Sequence, residues 1–398
     1  MWVTANRTNA TEIENSVVDR VLNLYPEEKL LERPVFRDAI TNQTVDFQDL
    51  KNESEKILIP WQMFFLTSGN LDKQIAHIDN QRKHKISPKL MAKRRGSGDV
   101  TSKRIVDRLI RQQNFLTSTN TTTDNAFCGS LKGMQSKRAA EQILTHFDID
   151  RTLVWRYRGK GRALEYLIGK VEEKNVNVSR GVLTNKILPS YLVVPSEIYK
   201  NTSGFVIQDK CIPFVFLPSE INPDEVESRQ IYTLIYLLVV IGLEQYDYYL
   251  SKDFKAKIMG AKGMSARLHA ITTELLMPAS DTESLRGQTI TATMRDELSN
   301  KYKVSPSALV ITLRMRGIIS KTQFDALKPP PYVPKKISGH VRSPRVSTSV
   351  EKFCGRKTFY EINSSIQRGS LSSIQAQYLI WGAVNKKGFR RYRNELNI

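Results

Sequence analysis

The sequence has few of the residues that build disulfide frameworks and metal sites. Its 398 residues include three cysteines, Cys128, Cys211 and Cys354, and no C-x-x-C pair. This usage argues against a disulfide framework or a cysteine zinc site and favours a reducing compartment, so we expect a cytoplasmic protein. None of the five histidines stands four residues from another, so no helix presents two imidazoles to one metal ion. The sequence therefore predicts neither a metal nor a cofactor.

Long apolar runs are also missing. The longest apolar helix that the sequence predicts covers residues 231–243, whereas a transmembrane helix needs about 20 consecutive apolar residues. Residues 1–16 lack the basic start and apolar run of a secretory signal. We therefore expect no membrane partner and interpret 231–243 as a buried core helix.

Positive charge is in excess. There are 60 Lys and Arg against 40 Asp and Glu, which gives a formal net charge of +20 at pH 7. The electric field of such a protein attracts nucleic acids and acidic protein surfaces. DNA or RNA and an acidic protein partner are therefore both open alternatives.

Two basic segments are candidates for nucleic-acid binding. The tract 82–111 contains eleven Lys or Arg against two Asp, and the segment 156–162 places four cations among two glycines. Phosphate contacts from such residues give affinity without sequence selectivity. The alternative is a solvated helix face or turn, or a dock for an acidic partner. The candidate nucleic-acid-binding residues are Arg82, Lys83, Lys85, Lys89, Lys93, Arg94, Arg95, Arg156, Arg158, Lys160 and Arg162.

Hydrophobic periodicity predicts a mainly helical chain with one β-rich region. Residues 1 to about 75 show helical spacing, whereas 116–125 is too polar to pack and predicts an exposed loop. Between 187 and 218, short apolar runs divided by Pro, Gly and Asp predict strands. Helical pattern is also predicted at about 126–150. The segment 155–176 runs from a basic loop into an amphipathic helix, and further helices are predicted at about 228–243, 262–276, 293–315 and 353–395.

Several blocks of the chain occur in the order found in a known family. They are an amphipathic helix that ends in a polar turn, then 204-GFVIQDKCIPFVFLPSE-220, 229-RQIYTLIYLLVV-240 and 265-SARLHAITTELLMP-278, followed by a helical pair over 294–320. Over roughly residues 160–325 this order resembles the ImmA/IrrE family of zinc peptidases. In that family the apolar helix carries H-E-x-x-H, and the later segment ends F-A-A-E-L-L-M-P.

The resemblance implies a metal site whose ligands are missing from this chain. Alignment with the family places Tyr236 and Val240 at the two histidine positions, Leu237 at the general base and Ser265 at the third ligand. Valine and leucine have no donor atom, and serine is a poor zinc ligand. His269 stands where the family has asparagine. We therefore expect a protein that is not an enzyme, with no zinc site formed by the family's route.

The helical pair over 298–317 is similar to a helix-turn-helix. Its second helix opens at Pro306 and would offer Ser305, Ser307, Thr312 and Arg316 to DNA. The alternative is that both helices pack on the peptidase-like body. A DNA-reading role and a packing role are both open at this point.

Together these patterns predict an α+β, mainly helical multidomain protein with a central zincin-like domain that contains a small β-sheet. The resemblance implies a setting in phage, mobile-element or defence-associated regulation, where intact relatives act on repressors, toxins or stress regulators. We expect a non-catalytic pseudo-peptidase that binds a protein partner such as a repressor or toxin, with DNA as a further candidate.

Two alternatives stay open. The protein is a nucleic-acid-binding protein that acts through its basic N-terminal half with the peptidase-like domain as scaffold, or it is a metallopeptidase with a displaced site formed by His269, Glu244 and Glu274. The predicted segments are 1–125 (basic helical domain), 126–290 (pseudo-metallopeptidase domain), 291–328 (helix-turn-helix-like pair), 329–350 (proline-rich linker) and 351–398 (C-terminal helical module).

Overall fold

The structure, a computed structural model, describes most of the chain and divides it into two compact units. One unit comprises Met1–Asn114 with Glu361–Ile398, and the other comprises Phe115–Tyr360. This division does not follow the five segments predicted from the sequence, whose boundaries stay a prediction. The described residues are 1–5, 9–24, 33–56, 61–86, 98–119, 123–181, 204–218, 223–247, 262–329, 345–382 and 386–398.

Helices form most of the described structure, and two small sheets complete it, so the mainly helical α+β class is confirmed. The helices of the N-terminal part are α1 (Asn15–Leu24), α2 (Pro34–Asn42), α3 (Phe47–Lys56), α4 (Ser68–Lys85), α5 (Gly98–Thr119), α6 (Ser136–His146), α7 (Arg151–Arg156) and α8 (Lys160–Glu173). The later helices are α9 (Pro223–Leu243), α10 (Gly263–Leu276), α11 (Ala279–Glu283), α12 (Ala292–Lys301), α13 (Pro306–Met315), α14 (Lys321–Leu327), α15 (Val346–Cys354), α16 (Arg356–Gln367), α17 (Ser373–Trp381) and α18 (Lys386–Leu396). The strands are β1 (Trp2–Ala5), β2 (Asn9–Glu12), β3 (Thr44–Asp46), β4 (Asn177–Arg180), β5 (Phe205–Ile207) and β6 (Phe214–Leu217).

The first unit contains a three-stranded sheet with the order β2-β1-β3. Strand β1 pairs antiparallel with β2 and parallel with β3, where Val3 stands opposite Val45. The prediction that residues 1 to about 75 are helical throughout is wrong for these strands. Strands of three or four residues are too short to show a clear two-residue period, so the helical spacing around them dominated the sequence pattern.

The second unit is built around α9. This helix packs against α8, α10 and the strands β5 and β6, and every residue from 231 to 243 is buried. The amphipathic helix expected within the segment 155–176 is confirmed as α8, whose Leu164, Leu167, Ile168 and Val171 are all buried. The predicted helices at 228–243 and 262–276 are likewise confirmed, within a few residues, as α9 and α10.

A second sheet, with the order β4-β6-β5, lies against α9. Strand β6 pairs parallel with β4 and antiparallel with β5, and all residues of β5 and β6 are buried. The predicted strands within 204–218 are confirmed, whereas the one predicted at 187–195 lies outside the described residues. The sequence did not predict β4.

The C-terminal end of α9 is closed by the segment 126–134. The carbonyls of Ile241 and Gly242 accept backbone N–H bonds from Gly129 and Leu131 at 3.3 and 2.8 Å, which satisfies acceptors that a helix end leaves open. A Cβ at Gly242 would lie 2.5 Å from Leu131 Cδ1, so the absence of a side chain allows this close contact.

Two further sequence predictions are tested by the helices. The prediction of an exposed loop at 116–125 is wrong for its first residues, because α5 continues to Thr119.

Among the described residues, no helix has the length and apolar content needed to cross a membrane. Most of the predicted proline-rich linker, residues 330–344, lies outside the described ranges.

Candidate functional site

The positions that the family resemblance assigns to zinc chemistry lie on α9 and α10. Tyr236, Leu237 and Val240 on α9 are 2%, 0% and 0% exposed, so all three are part of the core of the second unit. Ser265 lies near the start of α10 and is half-buried. Because residues 231–243 of α9 are almost entirely apolar on every side of the helix, they are all buried, which is the expected position of such a segment.

His269 on α10 faces Tyr232 and Tyr236 on α9. The Tyr232 hydroxyl lies 3.0 Å from His269 Nδ1, and the Tyr236 ring centroid lies 5.1 Å from that of the imidazole. Tyr232 stands one helical turn before Tyr236, so both rings project from the same face of α9. Sequence reasoning missed Tyr232 as the partner of His269, although this i, i+4 spacing of two tyrosines on an otherwise aliphatic helix was a usable signal.

Burial keeps this group of side chains neutral. His269 is 3% exposed, and desolvation lowers its pKa to about 4. Desolvation and the neighbouring Tyr236 raise the pKa of Tyr232 well above its usual value. A neutral imidazole and a protonated phenol can share one hydrogen bond without burying a charge, which is the least costly arrangement in a nonpolar core.

The residues at these positions do not fit the zinc ion that the family resemblance implies. Leu237 and Val240 offer only carbon atoms, and the Tyr236 ring packs against His269 within the core. Nδ1 of His269 is already engaged by Tyr232. Zinc requires three or four nitrogen, oxygen or sulfur donors directed at one point. This donor set does not supply them.

The alternative of a displaced site at His269 is not favoured by the positions of its carboxylates. The Glu244 carboxylate forms an ion pair with the Lys132 ammonium group. Glu274 lies 3.2 Å from Arg316 and also accepts from the backbone N–H of Ala279. Within the described ranges, no three His, Cys, Asp or Glu residues are grouped as ligands of one ion.

The structure corrects part of the predicted basic surface in the tract 82–111. Arg82 is 7% exposed, and its guanidinium makes a two-point ion pair with Asp107 at 2.8 and 2.7 Å. Because its charge is neutralised within the protein, Arg82 does not fit the predicted role of a phosphate contact. Lys85 is half-buried at the end of α4. Outside the described part of the chain lie the side chain of Lys83 and the residues Lys89, Lys93, Arg94 and Arg95.

The second basic segment, 156–162, is better exposed. Arg156, Arg158 and Arg162 are exposed, whereas Lys160 is half-buried and donates to the Val304 carbonyl at 3.0 Å. The space beside Gly161 is occupied by a carboxylate of the protein, since a Cβ there would lie 2.6 Å from Glu227 Oε1. This segment therefore offers three arginine side chains to solvent, but not a glycine cradle for an anion.

The helix-turn-helix-like pair is confirmed as two helices, α12 and α13, but its second helix is in the core. All residues from 308 to 313 are buried, and the Thr312 hydroxyl bonds to the Ala308 carbonyl at 2.8 Å. Ser305 caps α13 by accepting from the Ala308 N–H, and Arg316 pairs with Glu274. A recognition helix must expose one face to enter the major groove. The predicted reading of DNA by α13 is therefore not supported.

Comparison of the chain with models of protein families, with curated proteins and with solved structures finds no match.

Proposed function

We infer that the chain is a non-catalytic regulatory protein of the ImmA/IrrE type, in which the peptidase fold has become a binding scaffold for a protein partner. The observation that carries this proposal is the packing around His269. Tyr236, Leu237 and Val240, which the resemblance aligns with two of the three ligands and the general base, lie within one continuous core. Apolar side chains that are fully buried contribute about 1.5 to 3 kcal/mol each, so these residues stabilise the fold at the cost of the chemistry.

The same residues explain how the helix α9 could be kept after a metal site was lost. Buried histidine and glutamate side chains are costly unless an ion or a hydrogen-bond partner compensates them. Replacing them by side chains that pack removes that cost and leaves the surface of the unit available to a partner. The setting in phage, mobile-element or host-defence regulation follows from the resemblance alone.

The proposal is tested by recovering partners of the full chain from cells of its host, with and without nuclease treatment. We expect a protein that is retained in stoichiometric amount after nuclease treatment. Because the scaffold should bind without cutting, mass spectrometry should find this partner intact after prolonged incubation with the chain. Retention of nucleic acid only, or specific cleavage of the partner, would contradict the proposal.

Nucleic-acid binding is a second candidate function, favoured by the three exposed arginines of the segment 156–162. In the triple variant Arg156→Gln, Arg158→Gln, Arg162→Gln, we expect duplex DNA binding to weaken. If each arginine contacts one phosphate, the slope of log affinity against log salt should decrease by about 3 in magnitude. Fluorescence anisotropy with a mixed-sequence duplex over a salt series measures both quantities.

A matched control for this experiment exists in the same unit. Lys137, Arg138 and Lys262 are also exposed, so their joint replacement by glutamine lowers the net charge equally. We expect this control to keep most of the affinity and the salt slope. Equal losses in both triple variants would mean that only the net charge matters, and undetectable binding at low salt would refute this function.

A further inference from the structure

The helix α18, in the first unit, carries a strongly basic face. Five of its residues are exposed cations: Lys386, Lys387, Arg390, Arg391 and Arg393. A helix turns by about 100° per residue, so these five side chains lie within roughly 160° of its circumference. Glu395 is the one acid of the helix and pairs with Arg391 at 3.1 Å. Five cations and one acid leave the helix with a surplus of four positive charges.

The opposite face of α18 holds the helix on its unit. Phe389 and Tyr392 lie on that face and are 5% and 0% exposed. Their ring centroids are 6.0 and 5.9 Å from that of Trp381 on α17, with the rings edge to face. The Tyr392 hydroxyl donates to Asn363 Oδ1 on α16 at 2.5 Å. Because these contacts fix the helix, its cations form a preorganised array, and less conformational entropy is lost when an anion binds.

Three of the five cations are not neutralised by the described part of the chain. The side chains of Lys386, Lys387 and Arg390 make no hydrogen bond or ion pair with any residue that the structure describes. By contrast, Arg391 is already in an ion pair, and Arg393 donates to a backbone oxygen at 2.8 Å. The first three are therefore the cations that are available to an anionic partner.

The residues around these cations favour one kind of acidic partner. A helix that binds a membrane surface places an apolar face in the lipid, and single-stranded nucleic acid is held by stacking on aromatic side chains. In α18, Phe389 and Tyr392 are buried and Leu396 is half-buried, so these residues serve the protein's own packing. Protein interfaces usually have an apolar centre with little lysine, and the basic face has no such centre. A row of Lys and Arg without apolar side chains fits the phosphate backbone of a duplex.

We propose that the basic face of α18 binds the phosphate backbone of double-stranded DNA, without selecting a base sequence. The inference rests on the second candidate function, nucleic-acid binding, and adds a surface of the first unit to the arginines of the segment 156–162. The helix rises about 6 Å from Lys386 to Arg390, close to two steps of about 3.4 Å between phosphates of one strand. These two side chains can therefore reach phosphates two steps apart. Double-stranded RNA is recognised largely through its shape and its 2′-hydroxyls, for which a face of cations has no preference.

The test replaces the three unpaired cations in the full chain and measures DNA binding by fluorescence anisotropy over a salt series. In the variant Lys386→Gln, Lys387→Gln, Arg390→Gln, we expect the affinity for a mixed-sequence duplex to fall roughly tenfold or more at low salt. The slope of log affinity against log salt should decrease by about 3 in magnitude, because each contact to a phosphate releases about one counterion. Glutamine has nearly the helix propensity of lysine and arginine, so circular dichroism should show an unchanged fold.

A charge-matched control exists in the same unit. Arg37, Lys73 and Arg368 are exposed on other helices, and their joint replacement by glutamine removes the same charge. We expect this control to keep most of the affinity and of the salt slope. Equal losses in the two triple variants would overturn the inference, since only the net charge would then matter.

Other results would separate a failure of this inference from a failure of nucleic-acid binding as a whole. If the α18 variant bound DNA as tightly as the unsubstituted chain while the variant of Arg156, Arg158 and Arg162 did not, nucleic-acid binding would stand and the role of α18 would be refuted. Absence of DNA binding at low salt would refute both. Tighter binding to an RNA duplex of the same sequence, or to vesicles that contain phosphatidylserine, would assign the basic face to another partner and would also overturn the inference.

Discussion

Replacing Leu237 with glutamate is expected to destabilise the second unit by about 4 kcal/mol, or to prevent it from folding. Leu237 is 0% exposed, and it is the residue that the proposed resemblance aligns with a general base. An ionised carboxylate at this position would lose its hydration without gaining a cation, and a protonated one would still need hydrogen-bond partners. Chemical denaturation followed by circular dichroism measures the change in the free energy of unfolding.

A matched control separates burial from the introduction of an acid. Leu153 lies in the same unit but is 37% exposed, so Leu153→Glu should change the free energy of unfolding by only about 0.5 kcal/mol. If Leu237→Glu were tolerated as well as Leu153→Glu, the helix α9 would not be the sealed core helix that we describe. If added zinc restored the stability of Leu237→Glu, that result would also contradict our interpretation.

A second large effect is expected from lowering the pH. His269 has a folded-state pKa of about 4, below the roughly 6.5 of an unfolded histidine. The stability that comes from its neutral form is therefore fully present above pH 6.5 and is lost as the pH falls towards 4. Each pKa unit corresponds to about 1.4 kcal/mol, so the loss approaches about 3 kcal/mol. Denaturation midpoints measured from pH 7.5 down to pH 4 test this.

The variant His269→Asn isolates the contribution of His269. Asparagine does not titrate, so the variant should lose less stability between pH 6.5 and 4 than the unsubstituted protein. Glu172, whose pKa is raised by burial, stabilises the fold as the pH falls through about 7, but it is present in both proteins and cancels in the comparison. His77→Asn, the same substitution at an exposed histidine of the other unit, is measured beside it as a control. Identical pH curves for His269→Asn and the unsubstituted protein would contradict the buried, neutral state of His269.

Much of the second unit could be predicted from the sequence. The continuous apolar run of α9 and the one-sided pattern of α8 are strong local signals, and both helices are found where the sequence places them. Strand β4 has no such signal, because Asn177 and Ser179 are polar. Their side chains bond to the carbonyls of Cys354 and Phe353, about 175 residues further along the chain, and a local pattern cannot show such long-range partners.

The charged residues were harder to predict than the apolar ones. Arg82 belongs to a basic tract in sequence, yet Asp107, 25 residues later, neutralises it in the fold. Glu172 lies among polar residues at the end of α8, yet it is 7% exposed in the fold, where it accepts the backbone N–H of Arg356 at the junction of α15 and α16. The exposure of a charge depends on tertiary packing, whereas periodicity reports only which face of an element is apolar.

The most direct test of the central claim is the metal content of the native protein. The chain should be purified without chelators from cells grown with added zinc, and bound metal should be measured by mass spectrometry against protein concentration. We expect far less than one zinc ion per chain, with no change in Tyr236→Phe or His269→Asn. One zinc ion per chain, lost in either variant, would show that the core around His269 still holds a metal and would contradict the account.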